Sequence, residues 1–287
     1  MNETVTRGTA GIPVIAAAAR TDVGLRRSIN EDLALAQQPV FVVADGMGGH
    51  AAGDLASAAA IAAFAELAAL GSSRPLEVAD VDAALDRARA AVDVISRGDE
   101  RGAGCTLTGV VLVEHRGAPH WYVINVGDSR VYQHRGASLS QITSDHSLYA
   151  ELAAAGYEDA ELAPRNVITR ALGSDDSRHD GWLLPLRTGL RLLICSDGLT
   201  SEVDDEELRA VLTVGGRPES VADELVRRAC EAGGRDNVTV IVVDTLSDGS
   251  GFGVGSGGGG SGPETDDDPA DDDEVDETTL DVTRPAS

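Results

Sequence analysis

The chain has 287 residues, 42% of them hydrophobic, enough for one sizeable core in a single domain of about 250 residues. Its formal net charge of −25 leaves no basic footprint, which excludes nucleic acid and anionic membranes as expected partners. Eleven acids against one Arg in residues 263–287 supply −10 of that charge, so the rest of the chain is acidic as well.

Residues 1–15 read as an N-terminal extension to a folded domain at 16–246. Within the domain, PVFVVAD (39–45) is the first strand, and helix-period stretches follow at about 54–70 and 80–96. Three strands come next, TLTGVVLVEH (106–115), HWYVINVGD (120–128) and SRVYQHRG (129–136), then a helix at about 147–155. Strand LRLLICSDG (190–198), helices at about 204–213 and 218–231, and strand NVTVIVVD (237–244) complete the domain. A Gly/Ser-rich linker (247–263) leads to an Asp/Glu-rich tail without aromatics (264–287), expected to be disordered. Because consecutive strands are joined by short turns, antiparallel pairing with helices outside is favoured over a parallel βαβ sheet, giving an α+β fold.

Cys105, Cys195 and Cys230 are odd in number and widely spaced, so they give no disulfide framework and no CxxC metal site. A reducing interior suits them. No segment holds the roughly 18 uninterrupted apolar residues of a membrane span; the longest candidate, AGDLASAAAIAAFAELAALG, carries Asp54 and Glu66. With neither a basic n-region nor an apolar h-region at the N-terminus, the expected location is cytoplasmic.

The chemistry lies in the acids. Asp45 (VVADG), Asp128 (NVGDS), Asp197 (ICSDG) and Asp236 (GRDNV) each sit at a strand end beside Gly, Ser or Asn, and Glu31 and Asp32 adjoin in INED. A single Asp-Gly is usually a turn. Several at strand rims can converge on one cleft, where they repel and raise one another's pKa unless a divalent cation neutralises them. All-oxygen ligation suits Mg²⁺ or Mn²⁺; zinc would draw on His and Cys, and the six histidines show no HxxxH spacing. Gly46-x-Gly48-x-x-Ala51 also fits a dinucleotide fingerprint. Asp45, however, would face the pyrophosphate, and the region about 20 residues on, where a ribose-binding acid belongs, falls inside the predicted helix.

In order and spacing, RRSINED, VVADGMGGHAAGD, NVGDSRVY, SDHSL, NVITRALG, LLICSDGLT and RDNVTVIVV resemble the metal-dependent protein phosphatases of type 2C (PPM), most closely their compact bacterial Ser/Thr members. The resemblance spans about residues 16–244. It implies two antiparallel β-sheets sandwiched between layers of α-helices, and hydrolysis of phosphoserine and phosphothreonine in proteins by water activated between two Mn²⁺ or Mg²⁺ ions. It implies that Asp45 bridges both ions, that the Gly46 carbonyl joins one shell, that Asp197 and Asp236 complete the other, and that Glu31 acts through ordered water. Asp128 matches the ligand of a third, weaker ion, and Arg27 the guanidinium that grips the substrate phosphate. Two close divalent ions lower the pKa of a bridging water and clamp phosphate oxygens for in-line attack, while an Arg fork stabilises the charge that develops. His50 is a candidate general acid, although eukaryotic members carry their acid His directly after Asp-Gly and His50 stands four residues after Gly46. The usual Gly-Thr-Thr is here Gly104-Cys105-Thr106.

The implied partners are phosphoproteins and the Ser/Thr kinases that make them. Thr278, Thr279 and Thr283 resemble acidic Thr-Thr segments written by bacterial Ser/Thr kinases and read by forkhead-associated domains; a plain solubilising tail is the alternative. A signalling module that keeps the fold only for partner binding is the rival to an enzyme. Such a module would have no need of Asp45, Asp197 and Asp236.

Overall fold

The computed structural model describes residues 11–48, 52–100, 102–157, 159–250 and 281–282. Its strands form two antiparallel sheets. The first has the order β1 (Val14–Asp22), β11 (Val238–Ser247), β10 (Arg191–Cys195), β7 (Arg130–Arg135) and β8 (Ser138–Gln141). The second runs β12 (Asp281–Val282), β9 (Asp180–Pro185), β6 (Ala118–Val126), β5 (Leu107–His115), β3 (Val40–Gly48) and β2 (Asp32–Gln37), with β4 (Ala103–Cys105) paired to the end of β3.

Side-chain alternation along each strand sorts residues into layers. On β3, Phe41 and Val43 turn between the sheets and meet Trp121, Val123, Ile194, Ile241 and Val243, while Val40, Val42 and Ala44 turn outward beneath helices α1 (Ala52–Gly71) and α2 (Val78–Gly98). Phe64 and Leu67 of α1 and Leu85 and Val92 of α2 fill that outer layer. On the other sheet, Leu193, Cys195, Val240 and Val242 face α4 (Asp197–Thr200), α5 (Asp205–Val214) and α6 (Pro218–Ala232). The result is four layers, helix–sheet–sheet–helix. Among the described residues α1 alone is long and apolar enough to cross a bilayer, but Ala56, Ala60, Phe64 and Leu67 on it are fully buried in the protein core. A sixth helix, α3 (Leu148–Ala154), is capped by Ser147, whose Oγ accepts from the Ala150 N–H at 3.3 Å.

The structure departs from the sequence expectation in three places. β3 does not stop at Asp45: it continues to Gly48, because β4 pairs Cys105, Gly104 and Ala103 against Gly46, Met47 and Gly48. Strands β1, β2, β4, β8 and β9 are additional; the Ala-rich β1 (VIAAAARTD) has weak strand propensity and is held by register with the Val/Ile-rich β11 from Val14↔Ser247 to Asp22↔Val238. The folded part therefore begins at Val14, inside the expected extension, and β11 runs to Ser247, one residue into the expected linker. Finally, Asp281 and Val282 of the tail pair with Leu183 and Trp182 of β9, so this short stretch is a strand.

Candidate active site

Asp45 shares the period-2 face of Phe41 and Val43, so β3 aims its carboxylate between the sheets. Its backbone is fixed from both sides: the Asp45 N–H donates to Thr106 Oγ1 at 3.1 Å, and the Thr106 N–H donates to the Asp45 carbonyl at 2.8 Å. Directly opposite in the β2–β3 ladder stands Asp32, 3% exposed, a like-charge cross-strand pair that an ordinary sheet avoids. Asp32 accepts from Ser196 Oγ at 2.8 Å, and Ser196 leads into α4, whose first residue is Asp197.

Two glycines permit this approach of elements. A Cβ on Gly46 would lie 2.3 Å from the Gly53 carbonyl oxygen, and one on Gly198 would lie 1.9 Å from that of Asn237. Neither leaves room for a side chain. The Gly46 N–H donates to the Glu31 carbonyl at 3.2 Å, and Ser57 Oγ donates to the same oxygen at 2.7 Å. Asn237 joins the remaining pieces: its Oδ1 accepts from the Glu31 N–H at 2.9 Å, and its Nδ2 donates to the Val23 and Ile29 carbonyls, both at 3.0 Å. The loop carrying Arg27 is thus held against the Asp236 turn, and Arg27 donates to Asp236 Oδ2 at 2.6 Å.

Electrostatically the cluster is unfinished. Burial, then the charges of Asp32, Asp197, Asp128 and Asp236, hold the Asp45 carboxyl well above the usual carboxylate range. Asp197 is raised by burial, then by the charge of Asp236. Burial pushes Asp128 up to about 7, with Asp197 adding to it, and Asp32 up to about 6. Glu31 is raised mainly by burial, with Arg27 opposing. Asp128 Oδ1 and Asp54 Oδ1 are buried with no hydrogen-bond partner. Buried carboxylate oxygens normally find donors or a cation. Among the described residues no three His, Cys or acidic side chains form a ready-made chelate, and Arg27 occupies Asp236. The donor chemistry, all carboxylate and carbonyl oxygen, fits Mn²⁺ or Mg²⁺.

Every acid singled out in the sequence, with Arg27 and Gly46, lies at this end of the sandwich. His50 lies outside the described residues, as do Thr278, Thr279 and Thr283. Sequence reasoning did not single out Asn237 or Ser196. The Asp-Asn and Ser-Asp dipeptides at strand ends were the available signal, since short polar side chains there hydrogen-bond neighbouring backbone. A cavity of about 730 Å³ at the opposite end, between Pro13, Pro39, Pro75 and Pro119, holds none of these acids.

A helix–sheet–sheet–helix sandwich with acids gathered between the ends of its two sheets is the architecture of the metal-dependent protein phosphatases. The family model described as protein phosphatase 2C matches residues 29–234, and the chain belongs to that family. It is 38% identical over 239 residues to the Ser/Thr protein phosphatase PstP of Mycobacterium tuberculosis, covering 81% of this chain and 45% of PstP. This chain thus spans about half the length of that relative. With the Ser/Thr phosphatase stp of Listeria monocytogenes it shares 36% identity over 241 residues, 78% of this chain and 94% of that one. The crystal structure of the PstP catalytic domain in complex with two manganese ions superposes with a TM-score of 0.74 at 34% identity, covering 82% of this chain and all of that domain.

Proposed function

We propose that this chain hydrolyses phosphoserine and phosphothreonine esters in proteins with Mn²⁺ or Mg²⁺, and so reverses the action of Ser/Thr kinases in the cytoplasm. The observation that carries the reading is the knot of Asp45, Asp197 and Asp128, raised by burial and by one another, with Asp128 Oδ1 left without a partner. In this reading Asp45, the Gly46 carbonyl, Asp197 and Asp236 hold two ions, Glu31 acts through water, and Asp128 serves a weaker third site. The manganese ions of the related PstP domain support the metal class. Bound together, the ions supply an activated water and neutralise phosphate charge.

The rest belongs to side chains. Arg27, half exposed at the rim, trades its contact with Asp236 for two oxygens of the phosphate and stabilises the negative charge that builds there. Asp45 and Asp197, both raised by burial, would lose protons as divalent ions bind. Asp32, locked by Ser196, stays behind Asp45 and keeps its orientation. The acidic body favours substrates with basic flanks. The tail threonines are proposed as a kinase-written docking segment for a forkhead-associated domain.

The deciding assay is hydrolysis of p-nitrophenyl phosphate and of a phosphothreonine peptide with Mn²⁺, with EDTA, and with Asp45→Asn. Activity that survives EDTA or Asp45→Asn refutes the reading.

A further inference from the structure

His146 is a buried residue with no role in the scheme above, yet every polar atom it owns is engaged. Its backbone N–H donates to the Gly127 carbonyl at 2.9 Å, and its Nδ1 accepts from the Gly127 N–H at 3.1 Å. One residue therefore satisfies both backbone groups of Gly127, the residue immediately before Asp128. Gly127 needs this hold: its φ is +113°, and a Cβ there would meet the Thr106 side chain at 2.5 Å, so the bend exists only as glycine. Asn125 reinforces the bend, its Nδ2 donating to the Gly127 carbonyl at 3.0 Å and to the Ser144 carbonyl at 3.1 Å.

The far nitrogen fixes the ring. Because Nδ1 accepts from the Gly127 N–H, the neutral imidazole carries its proton on Nε2, which donates to Asp180 Oδ2 at 3.1 Å; Arg170 Nη1, 3.3 Å from the same Nε2, then has only Asp180 Oδ1 as its acceptor here. The hydrogen bond from His146 is the first cause holding the Asp180 carboxyl below its usual range. Arg170 steadies Asp180 from the other oxygen at 3.2 Å, and the Thr169 N–H donates to the His146 carbonyl at 2.9 Å. Asp180 belongs to β9, while Thr169 and Arg170 belong to the segment between α3 and β9. A chain of contacts thus runs from β9 through one imidazole to Gly127 and Asp128.

We propose that His146 is a positioning residue, oriented by Asp180, that aims Asp128 at the weaker metal site through the Gly127 backbone. The proposal rests on the reading of Asp128 as a ligand. A partner of this kind commonly changes metal affinity by about 10- to 100-fold when removed, and the imidazole offers a way to split its two halves. The Oδ1 of Asn can stand where Nδ1 stood and still accept from Gly127; the Nε2 of Gln can reach Asp180 but leaves Gly127 without its acceptor.

The experiment is a Mn²⁺ titration of the full chain by calorimetry, with amide exchange read at Gly127. Asp128→Asn is expected to abolish the weak site while leaving the tighter ones; an unchanged weak site refutes the ligand reading itself. His146→Gln is expected to weaken that site by about 10-fold or more and to speed Gly127 exchange, whereas His146→Asn keeps both within about threefold of the parent. If Asn and Gln variants weaken the site equally, or if neither does while Asp128→Asn abolishes it, the positioning role is overturned. Should His146→Gln not fold, Asp180→Ala at the more exposed end of the chain decides: weaker Mn²⁺ binding and faster Gly127 exchange support the role, and unchanged values overturn it.

Discussion

Raising pH should destabilise the metal-free protein, against the ordinary trend. A carboxyl whose folded pKa is raised binds a proton in the native state at pH values where the unfolded chain has lost it, so stability falls as pH climbs toward the folded value. Asp128 sits at about 7 against an ordinary 3.8, and Asp32 at about 6. Between pH 5.5 and 7.5 Asp128 alone accounts for about 1.5 pH steps at 1.36 kcal/mol each, roughly 2 kcal/mol. Asp32 adds under about 1 kcal/mol, and Asp45 and Asp197 push in the same direction. His134, held below its usual value by burial, works the other way. Asp180 and Glu224, held low by His146 and by Arg227, are ionised in both states across this window and contribute no slope. At about 2–4 °C per kcal/mol for a domain of this size, the melting temperature in EDTA should drop by about 5 °C or more from pH 5.5 to 7.5. Saturating Mn²⁺ at a thousandfold over its dissociation constant should return about 4 kcal/mol at pH 7.5. Melting followed by circular dichroism at both pH values, with EDTA and with Mn²⁺, reads this directly. A metal-free melting temperature that rises over the window, or an Asp128→Asn protein with the same slope as the parent, refutes the reasoning.

Further outcomes separate structure from chemistry. Asp45→Asn replaces a carboxyl that burial and four neighbouring acids force to hold a proton, so it should raise the melting temperature in EDTA, most at high pH, while abolishing hydrolysis. Arg27→Ala breaks a pair whose side chains are 50% and 33% exposed, so stability should change by less than about 1 kcal/mol in urea; kcat/KM on a phosphopeptide should nonetheless fall by about 100-fold. Gly198→Ala drives a methyl into the Asn237 carbonyl and should cost about 3 kcal/mol in urea unfolding, with Mn²⁺ affinity lost in parallel. Matched phosphopeptides with basic and acidic flanks, compared at low and high salt, should show a preference for the basic one that salt erases; equal kcat/KM at low salt would count against it.

Much of this was written in local pattern. The Val/Ile-rich runs that became β3, β5, β6, β10 and β11 declare themselves because alternation and β-branching coincide there, and the five expected helices emerged within two residues of their expected ends, while the four-residue α4 had no counterpart in the sequence reading. β1 and β2 did not, since VIAAAARTD and DLALAQ draw their strand character from long-range partners and not from their own side chains. The acids were legible because Asp-Gly at a strand end is a local signature. What was hidden was the reason for glycine at 46 and 198: not turns, as the sequence suggested, but places where Gly53 and Asn237 carbonyls press within a methyl's width. Such contacts join residues far apart in the chain and leave no periodic trace.

The pairing of Asp281 and Val282 with β9 has a consequence for solubility. Without it, β9 would end its sheet as an open ribbon, its backbone donors and acceptors free to template another molecule's strand. Asp281 and Val282 occupy that edge at Leu183 and Trp182, the middle of the six-residue β9, so an incoming strand finds the centre of the edge already paired. That two-residue pairing shortens the stretch of β9 left open to a foreign strand.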